Sequence, residues 1–261
     1  MTNTLVLRTM FLSGVFGVAV LAETYEWGIL NSIIWPGWSE ILVAIIVLDF
    51  VVYGQHVLFH TLPILWCLHK VHHSDIELDV TTGVRFHPGE IVISMLIKIG
   101  TVLVIGASPE SVLIFEVLLN AMAMFNHSNI RIPLQIDAGL RWMVVTPDMH
   151  RVHHSVITEE SNRNYGFNLP WWDRIFGTYQ AQPSLGHDHM TIGLERFREP
   201  AQLTFTSLLT LPFVEERVIQ QPDQRALDHI AQGSKTRQDE KTVKTNEQVL
   251  TTKCSSVTLS P

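Results

Sequence analysis

Two stretches share one pattern: His69-Lys70-Val71-His72-His73-Ser74 and His150-Arg151-Val152-His153-His154-Ser155. On a helix the offsets i, i+3 and i+4 stack three imidazoles on one face, where they can converge on a metal. His56 and His60 repeat the i, i+4 spacing at the end of an apolar run, so eight of the thirteen histidines fall in three helical clusters. Neutral imidazole is the commonest metal ligand, and nitrogen donors suit iron, copper, nickel or zinc rather than magnesium or calcium. An isolated pair of this spacing is ordinarily a capped or surface helix. Eight imidazoles gathered in an apolar chain need a compensating partner, and a multi-metal site supplies one.

The elements that would position these clusters are those of a membrane protein. Hydrophobic residues make up 46% and charged residues 16% of the chain, with mean hydropathy +0.20, whereas soluble domains carry about 25% charged residues. The two cysteines, Cys67 and Cys254, form no Cys-x-x-Cys motif, so metal binding must rest on histidine. No basic patch interleaved with aromatics and no Gly-rich phosphate loop is present, which sets nucleic-acid and nucleotide binding aside.

Residues 5–22 are expected to be a membrane anchor rather than a cleaved secretory signal. Residues 23–40 carry Trp27, Trp35 and Trp38 without Lys or Arg, as in an interfacial loop on the far side. An apolar run from Ile41 to Phe59 ends in the first histidine pair. Ile91–Ala107 and Val112–Phe125 form two more apolar segments, broken at Gly106-Ala107-Ser108-Pro109 as the turn of a helical hairpin would be. Lys98 interrupts the first arm, so the hairpin is expected to be tilted or partly inserted. A hairpin that enters and returns puts His127 on the same side as the three clusters. That side holds Lys70, Arg85, Arg131, Arg141 and Arg151, whereas loops 23–40 and 107–111 hold no Lys or Arg, so the histidine side is expected to face the cytoplasm.

The expected fold class is an all-α membrane protein with about four transmembrane or partly inserted helices in two hairpins, and a cytoplasmic helical cap carrying a His-rich dimetal site. The expected domains are 1–40 (anchor and far-side loop), 41–200 (catalytic domain), 201–214 (apolar closing segment) and 215–261, a disordered polar tail without apolar periodicity.

Ordered blocks then carry a resemblance. Asp49, Tyr53, His56 and His60 are followed by the first His-x-x-His-His motif and by Thr81-Thr82-Gly83-Val84-Arg85-Phe86-His87-Pro88. Next come Phe125-Asn126-His127-Ser128-Asn129, then Thr146-Pro147-Asp148-Met149 leading into the second motif, and finally Asn164-Tyr165-Gly166 and Trp172-Asp173 through Tyr179. Over residues 49–180 the chain resembles the fatty acid hydroxylase and sterol desaturase superfamily of integral-membrane di-iron enzymes. One position departs: members usually carry Arg directly after the first histidine, where Val57 stands here.

The resemblance implies two iron ions held by His56, His60, His69, His72, His73, His127, His150, His153 and His154, with His127 added by the family pattern and the topology. It implies O2 as co-substrate, a lipid or sterol substrate, membrane residence and a separate electron-transfer protein. The expected function is therefore an O2-dependent oxidoreductase hydroxylating a lipid or sterol C–H bond. Alternatives within the family are a sterol or fatty-acid desaturase and an ether-lipid monooxygenase. From another class come a zinc hydrolase, which needs only about three protein ligands, and a metal-binding membrane protein, whose ligands would lie near the bilayer midplane if it transported metal.

Outside the nine, His87 is open between a further ligand and a helix-start residue, while His187 and His189 read as solvated loop residues and His229 belongs to the tail. Asp148, Asn129, Asn164 and Asp173 are candidates to accept the second N–H of a ligand imidazole.

Overall fold

A computed structural model describes residues 14–214 and a two-residue antiparallel pair, 217–218 with 250–251. Apart from that pair and an isolated antiparallel bridge between Ser155 and Ile192, the described residues are helical or irregular. The first part of the expected anchor and nearly all of the expected polar tail lie outside the described residues. The histidine-bearing helices all belong to one compact unit, residues 1–212.

Four helices frame that unit. α1 covers Gly14–Thr24 of the described residues. α2 (Ser39–Thr61) and α4 (Pro88–Ile105) are long and apolar enough to cross a membrane, yet little of their apolar surface is buried within the protein. Leu42, Phe50 and Leu58 on α2, and Leu96 and Val104 on α4, are exposed. α5 (Pro109–Asn126) matches α4 in length but carries Glu110, Glu116 and Asn120. Among the described residues, two of the expected spans therefore have both the length and the apolarity of a crossing.

Local chemistry sets the boundaries. α4 opens with Pro88 at its first turn and closes at Gly106, whose φ of 70° is the left-handed conformation a helix C-terminus favours. α5 opens two residues later with Ser108 as N-cap and Pro109 in its first turn. A side chain at Gly106 is excluded as well, because its Cβ would stand 2.4 Å from the Trp27 carbonyl oxygen. The expected hairpin thus forms where the sequence broke.

Glu40, at the start of α2, accepts from Ser108 N–H and Oγ and from Ser111 Oγ at 2.8–3.2 Å, and Ile29 N–H donates to Val104 O at 3.2 Å. The loop before α2 and the α4–α5 turn therefore share one end of the unit. An apolar core of Ala44, Leu48, Met95, Val102, Val112 and Phe115 runs between the helices. The histidines collect at the opposite end. There Leu62, extended as the residue before a proline must be, turns α2 into α3 (Pro63–His73). α7 (Pro147–His153) starts on a Thr146 cap, and α6 (Leu134–Leu140), α8 (Thr158–Ser161) and α9 (Trp171–Ile175) are short connecting helices.

Candidate dimetal centre

All nine histidines singled out above are buried, and His127, His150, His153 and His154 have no exposed surface. They form two groups, within each of which the nitrogens lie within 4.8 Å of one another: His56, His60, His69, His73 and His153, and His72, His127, His150 and His154. The expectation that each motif turns all three rings to one point is corrected here. In both motifs the i and i+4 residues share a group and the i+3 residue belongs to the other. The cause is angular: at 3.6 residues per turn, i+4 sits about 40° to one side of i and i+3 about 60° to the other. Each motif thereby contributes to both groups and ties them together, with the His73 and His154 rings stacked across them at 4.5 Å between centroids.

Hydrogen bonds fix which nitrogen faces inward. His56 Nδ1 donates to Tyr165 O at 2.8 Å and His69 Nδ1 donates to Glu90 Oε1 at 2.6 Å. A neutral imidazole carries one N–H, so both Nε2 atoms are left with bare lone pairs. Those two Nε2 atoms face each other at 3.1 Å. The second group repeats the arrangement: His72 Nδ1 donates to Arg85 O at 3.3 Å, His127 Nδ1 donates to Ala123 O at 2.7 Å, and their Nε2 atoms lie 3.1 Å apart. Two opposed lone pairs repel, and a cation on which both converge removes the conflict.

The remaining rings agree. His60 Nδ1 donates to Asn162 Oδ1 at 3.3 Å and His153 Nδ1 to Arg163 O at 2.8 Å. The Nε2 atoms of His60, His73 and His153 are buried without a hydrogen-bond partner, as are both ring nitrogens of His154. Buried polar atoms are rarely left this way. Burial first, and the proximity of other imidazoles second, holds His69, His72, His73, His150 and His154 well below the ordinary imidazole value of 6.5, and burial does the same for His153. Burial thus favours the neutral form in these six rings, the form in which imidazole binds metal. Donor set, tautomers and unpartnered atoms all fit a pair of metal ions.

A loop supplies two of the orienting carbonyls. Asn164 adopts φ 52°, a left-handed conformation that Asn tolerates. It donates to Met149 O at 2.9 Å and Gln180 O at 2.7 Å, and accepts from Gln180 N–H at 2.8 Å. The carbonyls on either side of it, Arg163 O and Tyr165 O, then reach His153 and His56. Asp173 clamps the same loop by accepting from Tyr165 N–H and Gly166 N–H, each at 2.8 Å. Asp49 on α2 accepts from Trp172 Nε1 at 2.8 Å and from the Asn168 and Leu169 N–H groups at 3.3 Å. Gly83 permits a similar approach at the second group, since a Cβ there would stand 2.6 Å from Ala123 O.

Asn164 and Asp173 therefore act one step behind the imidazoles rather than accepting from them. Asp148 instead binds Arg151 at 2.6 Å, and Arg151 reaches Asn129 Oδ1 at 3.5 Å. His87 belongs to neither group; it caps α4, its Nδ1 accepting from Gly89 N–H at 3.1 Å. His189 is exposed and His187 half-buried in the loop after Pro183, and His229 lies outside the described residues.

The partners missed by sequence reasoning are Glu90, Asn162 and four main-chain carbonyls. Carbonyls have no residue-type signal. Glu90 did have one, as an acid beside Pro88 at the start of an apolar helix, but an acid in a first turn is ordinarily explained by the helix dipole.

Beside the histidines lies a cavity of about 440 Å³ between α2, α4 and α5, mostly apolar and reaching His56, His69 and His72. Each helix gives it one stripe: Val52, His56 and Phe59 from α2, Ile91 and Met95 from α4, Leu119 and Ala123 from α5.

Fold and site together define a helical protein with membrane-length apolar helices and a nine-histidine site suited to two metal ions. Residues 41–178, more than half of the chain, match the family model for fatty acid hydroxylase, and the chain belongs to that family. It is 29% identical over 149 residues to the ornithine lipid hydroxylase OlsE of Rhizobium tropici, covering 57% of this chain and 44% of that protein. It is 30% identical over 170 residues to the alkylglycerol monooxygenase of Xenopus tropicalis (62% and 36% of the two chains), and 23% identical over 148 residues to the cholesterol 25-hydroxylase of Rattus norvegicus (56% and 48%). The chain thus spans less than half of the length of these relatives. No solved structure matches it.

Proposed function

We propose that the protein is an O2-dependent membrane oxidoreductase that hydroxylates a C–H bond of a lipid or sterol at a di-iron centre held by the nine histidines. The observation that carries this reading is the pair of buried imidazole groups, with bare nitrogens turned inward, opening onto an apolar cavity. In this reading residues 41–200 are the catalytic domain, residues 1–40 an anchor with its loop, and the histidine end faces the cytoplasm below two helical hairpins.

The chemistry a redox-active metal pair supplies when bound is activation of O2 toward an unactivated C–H bond, which no side chain performs alone. Hydroxylation consumes one O2, two electrons and two protons, and yields the alcohol and one water. The electrons come from a separate donor protein. The chain's own residues do the rest. The carbonyls of residues 85, 123, 163 and 165 and the Glu90 carboxylate hold His72, His127, His153, His56 and His69, respectively, in the tautomer that points Nε2 inward. Phe59, Ile91 and Met95 exclude water and bind the apolar chain against the histidine wall.

A second reading is favoured by the alkylglycerol monooxygenase relatives: hydroxylation at the carbon beside an ether oxygen. Desaturation begins with the same C–H abstraction. A zinc hydrolase is disfavoured because nine imidazoles exceed what hydrolysis needs. The test is to load the protein with ferrous iron without air, place it in lipid nanodiscs with a reductant, and measure O2 uptake alongside mass spectra of the lipids. Uptake matched by lipids that have gained one oxygen atom, and lost in the His153→Ala, His154→Ala variant, is the expected result. No uptake with iron bound overturns the reading.

A further inference from the structure

The cavity beside the histidines is not apolar throughout. Near the middle of α4 and α5, Lys98 donates to Glu116, and both residues are buried. Gln55 Nε2 donates to Ser94 Oγ at 2.8 Å across α2 and α4, and Asn120 lies one turn along from Glu116. All five residues line the cavity. Lys98 is eight residues beyond Glu90, about 12 Å along the helix axis, so the Lys98–Glu116 pair stands at the end of the chamber away from the histidine wall, with Ser94 and Gln55, the neighbour of His56, between the two. Charged residues within helices of membrane-crossing apolarity are expensive, and they mark places where a substrate or ion is handled.

Resting on the lipid-oxidation reading above, we infer that this polar end recognises an uncharged hydrogen-bonding group of the hydroxyl class on the lipid. The carbon to be oxidised then lies roughly 12 Å away, at the histidine wall. Charge decides between candidates. The Lys98–Glu116 pair is neutral as a unit, so a carboxylate brings uncompensated negative charge beside Glu116 and an ammonium brings positive charge beside Lys98. Either buries a net charge in a dry chamber. A methyl terminus avoids that cost but offers the polar side chains at that end no hydrogen bond. A hydroxyl donates and accepts at once, and matches carboxylate, ammonium and amide without changing the charge.

Binding can be read without turnover. The full chain, metal-loaded in nanodiscs, is saturated with tritiated hexadecanol and challenged with hexadecanol, hexadecanoate or hexadecyl methyl ether. Hexadecanol is expected to compete about tenfold or more better than either of the others, because a site built for a hydroxyl discriminates strongly against analogues that lack it. Replacing Lys98→Met and Glu116→Leu together leaves no unpaired charge behind, and is expected to bring the three competitors within about twofold while the ether still binds. Gln55→Leu, which removes no charge, provides a milder check and is expected to narrow the preference several-fold. A preference for hexadecanoate, absence of saturable binding, or an unchanged preference in the double variant overturns the inference and leaves the ion pair as a helix-to-helix contact. Hydroxyl preference without O2 consumption contradicts the oxidation reading alone; lipid oxidation without hydroxyl preference contradicts this inference alone.

Discussion

In the five-histidine group, four rings have their outward nitrogen held: His56 by Tyr165 O, His60 by Asn162, His69 by Glu90 and His153 by Arg163 O. In the four-histidine group only His72 and His127 are held, both by carbonyls, while His150 Nδ1 and both nitrogens of His154 are buried without a partner. Among the described residues, the one carboxylate bound directly to a ring of these groups, Glu90, also belongs to the first group. The same two motifs thus build one group whose rings the protein braces and another whose rings a bound metal would help to order. Outer partners that fix a ligand ring typically contribute 10–100-fold in metal affinity, so the five-histidine site is expected to be the tighter one.

The largest effect is expected from removing a ligand. His153→Ala should weaken the five-histidine site by more than the 10–100-fold range typical of an outer partner, leaving about one metal ion per chain by elemental analysis after dialysis. Loss of both ions would break the division into two groups. Glu90→Ala comes next: the affinity of the five-histidine site should fall about 10–100-fold with the other site unchanged, read by competition with a chromophoric chelator. Glu90→Gln, which keeps an acceptor for His69 Nδ1, should lose less. In the wild type the same titration should empty the four-histidine site first.

Smaller effects concern the scaffold. Asn164→Ala loses three hydrogen bonds at about 1 kcal/mol each and places a residue with a Cβ in a left-handed conformation at about 1–2 kcal/mol. Asn164→Gly spares the second cost and should unfold at a higher temperature than the Ala variant in a thermal melt. The smallest effect concerns protons. Because burial holds six of the rings well below 6.5, they are already neutral at pH 7, and metal binding should release fewer than about one proton per ion by calorimetry in buffers of different ionisation heat. The sign for stability follows: below about pH 6.5 the unfolded chain takes up protons that the folded metal-free chain does not, so its stability should fall as pH falls.

Eight of the nine site histidines were legible because helical spacing is written directly in sequence. Their partition was not, because assigning i+3 to the opposite group requires knowing that two motifs face each other. His127 has no neighbour at helical spacing, so only the ordered blocks and the topology drew attention to it. The hairpin was visible in Gly106 and Pro109, whose backbone preferences are local. For Asn164 and Asp173 the sequence points to the right neighbourhood and the wrong contact, since they shape a loop whose carbonyls do the orienting. Lys98 stood out as a charge in an apolar run, but its pairing with Glu116 depends on the register of α4 against α5, which no local pattern records.

The most direct test of two linked histidine groups is the metal content of the wild-type protein, loaded with ferrous iron in the absence of air and then freed of excess. The account expects about two irons per chain, leaving in two separable steps as a chelator is titrated in. A plateau at one iron per chain, or a single step for both, would contradict it.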